Sequence, residues 1–361
     1  MQLNHEPPNK PNSIFSKPQT WLVIGLILIT AILIVFFLNR SDPVSETEVT
    51  EDPAKGLETV STSSDVEGSS PILPDSPIQP PDPYVEAYQQ ATVLFEAGQY
   101  EEAIVSYSEA ISLDPESASA FNDRGNAYTQ LGDLDSALAD YERAAELNPG
   151  LPEPIFNQGW IKKTQGEYEE ALNFFRTAGE MSPLIGYDVS TNRCLIYYEL
   201  GEFEQAINEC SAAIAIEPAR YWAYASRAIV YLGQENYQDA ISDYQQSLLL
   251  KADDSDALWG LGWANYKLNK YDRAIEVTQQ AIDLNPTEPR LRFNLGLFYV
   301  AADSSDKALG AYQEGISISE ELDDETRTDL FTTAIEDLQD LAENKPEATE
   351  EIEQMITLLK N

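Results

Sequence analysis

Three regimes of apolar and polar residues follow one another along the chain, and each predicts a different element. From Trp21 to Leu38 eighteen residues run apolar, with Thr30 as the one polar interruption. At about 1.5 Å per residue such a helix covers about 27 Å, close to the hydrocarbon thickness of a bilayer, so 21–38 is expected to be a transmembrane helix behind a polar tail at 1–20. A cleaved signal peptide is the competing reading, but the run is long for one, and Asn39-Arg40-Ser41-Asp42-Pro43 offers no small-x-small cleavage site. Residues 39–83 form the second regime. Ten acids and eight prolines fall between Ser41 and Pro83, with no apolar period, which predicts a disordered Pro/Ser/acidic linker that cannot bury enough apolar surface to order itself.

From Tyr84 onward the apolar positions take a helical period, and the period itself repeats. One column reads Ala103, Ala137, Ala171, Ala206, Ala240, Ala274 and Ala308, at spacings of 34 or 35. Twelve residues earlier stands a second small column, Ala91, Gly125, Gly159, Cys194, Ala228, Gly262 and Gly296. Large rings dominate a third: Tyr107, Tyr141, Phe175, Cys210, Tyr244, Thr278 and Tyr312. Small residues mark close helix approach, rings supply the wedges, and Pro115, Pro149, Pro183, Pro218 and Pro286 end five units by stopping the second helix. Seven units follow: 84–117, 118–151, 152–185, 187–220, 221–254, 255–288 and 289–322. Residues 323–361 break the period but carry two apolar stripes, Leu330, Phe331, Ala334, Ile335, Leu338, Leu341 and Ala342, then Ile352, Met355, Ile356 and Leu359. They are expected to cap the stack, a dimerisation hairpin being the rival reading.

These columns resemble the tetratricopeptide repeat, a helix–turn–helix unit of 34 residues. The second unit is the closest match, with Phe121, Arg124-Gly125, Tyr128, Ala137, Tyr141 and Pro149. The resemblance implies an all-α, right-handed superhelical solenoid whose concave wall is built from the first helix of each unit. It also implies which positions look inward. Here these include Tyr88, Phe95, Phe156, Trp160, Tyr198, Trp222, Trp259, Trp263, Tyr266 and Phe293, and every tryptophan beyond the apolar run is among them. Such rings are expected to form a groove for a peptide or helix of a protein partner, because aromatics anchor large areas at low entropy cost.

Charge and composition narrow the function. Twenty-two basic against 62 acidic side chains leave −40, which repels nucleic-acid phosphate and steers a basic protein segment inward. The single histidine, His5, precedes the apolar run, so the repeats hold no imidazole for acid–base catalysis or metal ligation. No enzyme, cofactor or metal is expected. The alternatives are a carboxylate hydrolase using inward Glu153, Asp188, Glu199 and Asp256, and a structural spacer. Cys194 and Cys210 read as buried thiols, or as a disulfide if the domain is exported and their Cα atoms approach within about 7 Å. Arg124 with Asp140, and Arg227 with Asp243, read as structural ion pairs. Basic residues tie at two on each side of the apolar run, so orientation is weakly encoded; a cytoplasmic N-terminus with exported repeats is preferred.

Overall fold

The structure, a computed structural model, describes residues 82–360. The expected span at 21–38 and nearly all of the linker lie outside the described residues. Among the described residues no helix is long and apolar enough to cross a membrane, and there is no strand.

Sixteen α-helices follow one another among the described residues. They pair as hairpins: α1 (Pro83–Glu96) with α2 (Tyr100–Leu113), α3 (Ala118–Gln130) with α4 (Leu134–Leu147), α5 (Pro152–Thr164) with α6 (Tyr168–Met181) and α7 (Gly186–Glu199) with α8 (Phe203–Ile216). Three more are α9 (Tyr221–Gly233) with α10 (Tyr237–Leu250), α11 (Ser255–Lys267) with α12 (Tyr271–Leu284), and α13 (Pro289–Ala301) with α14 (Ser305–Ser319). A last pair, α15 (Asp324–Asn344) and α16 (Thr349–Lys360), ends the solenoid. Each helix of a hairpin packs on its mate, and through the seven repeats each second helix packs on the first helix that follows it. First helices also reach one another, α5 with α7, α7 with α9 and α9 with α11, and so form the inner wall.

Local chemistry explains the starts and turns. Asp82, Ser117, Asp133 and Asp254 accept backbone N–H groups at the entries of α1, α3, α4 and α11, satisfying donors the helices leave unpaired. Between the helices of the first four hairpins, Gly98, Gly132, Gly166 and Gly201 take φ of 72–78°, where a Cβ is strained. The equivalent positions in the next three are Glu235, Asn269 and Asp303, also at positive φ, so this column of turns persists without glycine.

The alanine column is wholly buried, and the small column faces the rings of the wedge column sixteen residues later. A Cβ on Gly125 would lie 2.7 Å from the Tyr141 ring, and one on Gly296 would lie 2.6 Å from Tyr312. In the fourth hairpin the same two positions are Cys194 and Cys210, and they are joined: their Cα atoms are 5.3 Å apart and the thiols form a disulfide. Buried free thiols are thus corrected to a cross-link between α7 and α8, because this is where two helices of a hairpin come closest.

The two arginine pairs also do more than expected. Arg124 grips Asp140 with two N–H donors at 2.7 and 2.8 Å, and donates to Ser108 of the previous hairpin at 2.9 Å. Arg227 repeats the pattern with Asp243 and Ser211. Each guanidinium therefore ties neighbouring repeats as well as the two helices of one, in the planar two-point geometry that favours arginine.

Two predictions follow from these contacts. Gly125→Ala is expected to destabilise by about 1–3 kcal/mol through overpacking on Tyr141, whereas Gly310→Ala, in α14 with nothing within 4 Å of its Cβ, should gain about 0.5–1 kcal/mol from helix propensity. Urea denaturation of both variants checks the opposite signs. Replacing both Cys194 and Cys210 by Ala should cost about 3 kcal/mol, the scale for a loop of about 15 residues, measured against the oxidised wild type.

Candidate functional site

The inner wall divides into two parts. Four of the ten expected site residues are buried: Tyr198, Trp259, Trp263 and Phe293. Tyr88, Phe95, Phe156, Trp160, Trp222 and Tyr266 are half-buried.

Neighbouring first helices account for the buried group. The Arg290 guanidinium of α13 lies 4.5 Å above the Trp259 ring. Trp263 meets Phe298 of α13 edge-on at 5.6 Å and Tyr266 at 5.4 Å, and the Asn294 amide accepts its indole N–H at 2.9 Å. Phe293 stacks on Tyr312 at 5.8 Å and meets Phe331 of α15 edge-on at 5.7 Å. Tyr198 sits under Gly233, where a Cβ would come within 2.6 Å of its ring. These rings are wedges between repeats in this arrangement.

The first five hairpins keep a more accessible wall, with Tyr198 as its buried exception. Tyr88 stacks on Tyr84 at 5.8 Å and donates its hydroxyl to the Asp123 carboxylate; burial and that charge push the phenol above its ordinary range. Phe95 meets Tyr100 at 5.4 Å, and Phe156 packs on Phe175 at 5.1 Å with Trp160 against the same cluster. Polar groups fill the gaps. Asn157 donates to both Asn122 and Asn126 at 3.2 Å, and Tyr141 donates to Asn126 at 2.9 Å. The next rung is Asn192, which accepts from the Lys163 ammonium at 2.6 Å. Burial lowers Lys163 to about 8 against the opposing pull of Glu199, and raises Glu199 to about 7 against the pull of Lys163. Asn157 and Asn192 share one register position in successive units, a signal legible in the 34–35-residue period once the inner helix face is known.

Two of the four inward carboxylates proposed for hydrolysis are engaged in ion pairs. Asp188 pairs with Arg220 at 3.0 Å, and Arg220 in turn lies 3.7 Å over the Tyr187 ring. Asp256 pairs with Arg290 at 3.4 Å. The first joins the two ends of the fourth unit, and the second ties the sixth repeat to the seventh. Among the described residues no group of His, Cys, Asp and Glu is placed to hold a metal ion.

Comparison with known proteins agrees with this architecture. Models described as tetratricopeptide repeat match residues 118–151, 152–183, 226–289 and 266–321, and a TPR repeat model matches 91–132. The chain is 35% identical over 66 residues to a DnaJ homolog subfamily C member 7 homolog of Dictyostelium discoideum, covering 18% of this chain and 12% of that protein. It is 29% identical over 98 residues to the Hsp70-Hsp90 organizing protein of Triticum aestivum, covering 27% and 17%. It is 24% identical over 119 residues to anaphase-promoting complex subunit 3 of Schizosaccharomyces pombe, covering 33% and 18%. The chain thus spans less than a fifth of the length of these curated relatives. In fold it is similar to a tetratricopeptide repeat protein from Parabacteroides merdae, with a TM-score of 0.56 at 18% identity over 70% of this chain and 99% of that one. It is also similar to PilW, described as a type IV pilus biogenesis factor, with a TM-score of 0.53 at 20% identity over 56% and 94%.

Proposed function

The chain belongs to the tetratricopeptide repeat family, and we propose that it is a membrane-tethered, non-enzymatic scaffold that captures a segment of a protein partner on its inner wall. The observation that carries this reading is the wall of the first five hairpins, where the half-buried rings Tyr88, Phe95, Phe156, Trp160 and Trp222 accompany an asparagine ladder. Aromatic faces supply apolar area, and asparagine amides offer both donors and acceptors to a bound backbone. The acidic excess of the chain favours a segment carrying basic side chains.

The apolar run at 21–38 and the acidic linker at 39–83 support a tether that holds the repeats off a bilayer. The disulfide supports an exported domain with a cytoplasmic N-terminus, since such bonds persist in oxidising compartments. Assembly or secretion of a membrane or envelope complex is the setting this combination suits.

Two outcomes are expected. In a photo-cross-linking pull-down from native membranes, Trp160→Ala/Trp222→Ala should keep wild-type helicity and lose about 30-fold or more in partner recovery, as truncation of about 2 kcal/mol of anchor contact predicts. Equal recovery would overturn capture on this wall. In intact cells, Cys194 and Cys210 should resist alkylation until a reductant is added, and the linker should be open to external protease; free thiols with a protected linker would overturn export.

A further inference from the structure

The last hairpin does not continue the pattern of the seven before it. From the second hairpin to the seventh, every first helix packs on the second helix that precedes it as well as on its own mate, but α15 packs on α13 and barely touches α14, while α16 packs on α14. α15 runs parallel to α13: Phe331 lies at Phe293 near one end of α13, and the Lys345 ammonium donates to the Val300 and Ala301 carbonyls at 3.4 and 2.7 Å near the other. The same ammonium pairs with Asp303 at 2.7 Å, and Ser305 donates to Glu351 at 3.4 Å. Because first helices form the inner wall, a helix laid on α13 instead of α14 sits on the concave side. Its charges reach α11, two hairpins back: Asp337 and Asp340 interact with Lys267, and both also act on Tyr266.

The seat is well built and its occupant is not. In α13 ten of the 13 residues are buried, whereas α15 buries only Ala334, Leu338 and Leu341 of its 21. Those three, with half-buried Phe331 ahead of them, form one stripe at spacings of three and four. Asp337 interrupts it. Facing that carboxyl are Lys267 and Tyr266 from α11, Tyr312 from α14, and Glu336 and Asp340 of its own helix, so one cation stands against two further carboxylates and two phenols.

We propose that α15 is a displaceable occupant of the groove over α11 and α13, and that the groove receives an amphipathic helix of the partner. That helix lies parallel to α13, sets an aromatic side chain on Phe293, and carries an uncharged residue where α15 has Asp337. This rests on the scaffold reading above and adds the class of segment bound at this end of the wall. The chemistry of the contact selects the competitor: a helix with the same stripe and no carboxylate avoids desolvating a charge and displaces one that must. Burial holds the Asp337 carboxyl up to about 8, against an ordinary value near 3.8 when the helix is free. Docking is therefore tightest in acid and weakens as pH rises from about 4 to about 8, so alkaline conditions favour the exchange.

The test uses the full-length chain and a synthetic peptide spanning residues 324–344 that carries Asp337→Asn. Hydrogen-exchange protection factors of α15 should fall at least tenfold between pH 6 and pH 8 in the wild type and stay level in the Asp337→Asn chain. The peptide should bind the Phe331→Ala chain at least tenfold more tightly than the wild type, and its binding should strip protection from α15 while α13 stays protected. Protection of α15 that equals that of α13 at both pH values, or peptide binding that leaves α15 protected, would overturn the proposal. Neither substitution lies in a repeat, so loss of folding of the seven hairpins does not confuse the result. If α15 proves immovable while Trp160→Ala/Trp222→Ala still loses the partner, this inference falls and the scaffold reading stands; the reverse pair of results removes the scaffold reading.

Discussion

The contact between a small residue on a first helix and a ring sixteen positions later on its mate governs the whole solenoid. It brings two helices so close that a Cβ at Gly125 or Gly296 would meet the ring, and the small position recurs at intervals of 34 or 35 residues. Local contacts of this sort repeat one supersecondary unit, so stability accumulates hairpin by hairpin and through each interface with the next. The arginine bridges add a second linkage, since Arg124 and Arg227 each satisfy an aspartate within one hairpin and a serine of the hairpin before. The disulfide belongs to the same logic. Cys194 and Cys210 occupy the small and ring positions of the fourth hairpin, and a site of closest approach is where two sulfur atoms meet without bending either helix.

The architecture was readable from the chain because its determinants are periodic and local. Seven alanines and seven small residues in register state where helices touch, and Tyr84, Ala118, Pro152, Tyr187, Tyr221, Ser255 and Pro289 each stand at the first or second residue of a first helix. Even the cross-link was available to a reader who asked which columns approach most closely. The site was harder. Which inward rings remain accessible depends on the neighbouring repeat: Arg290 over Trp259, and Phe298 against Trp263, come from residues 31 and 35 positions away. A column of inward positions gives direction but not cover. The placement of α15 was not legible, because it departs from the period that made everything else so.

The wall consequently has two characters. Over the first five hairpins, rings alternate with amides, and the Lys163 ammonium is already hydrogen-bonded to Asn192. Over the last two, ring packs on ring in two clusters, Trp263 with Tyr266 and Phe298, and Phe293 with Tyr312 and Phe331. The first kind of surface suits a segment whose backbone needs hydrogen-bond partners. The second suits a segment that has satisfied its own backbone, and a helix is the structure that does so.

That distinction bears on what the terminal hairpin is for. A solenoid must cover the apolar face of its last repeat, and a polar-backed helix with a Leu-rich stripe does this at least cost. Stability alone asks for an aliphatic or amide side chain at the centre of such a stripe, because a carboxyl there either stays neutral or carries a poorly compensated charge into the interface. Asp337 is that carboxyl, and Lys267, which also sits over the Trp263 and Tyr266 rings at 5.6 and 5.7 Å, only partly offsets it. The cap is therefore weaker than the surface beneath it allows. A weak cover on a strong seat is the arrangement that lets a better-matched helix take its place.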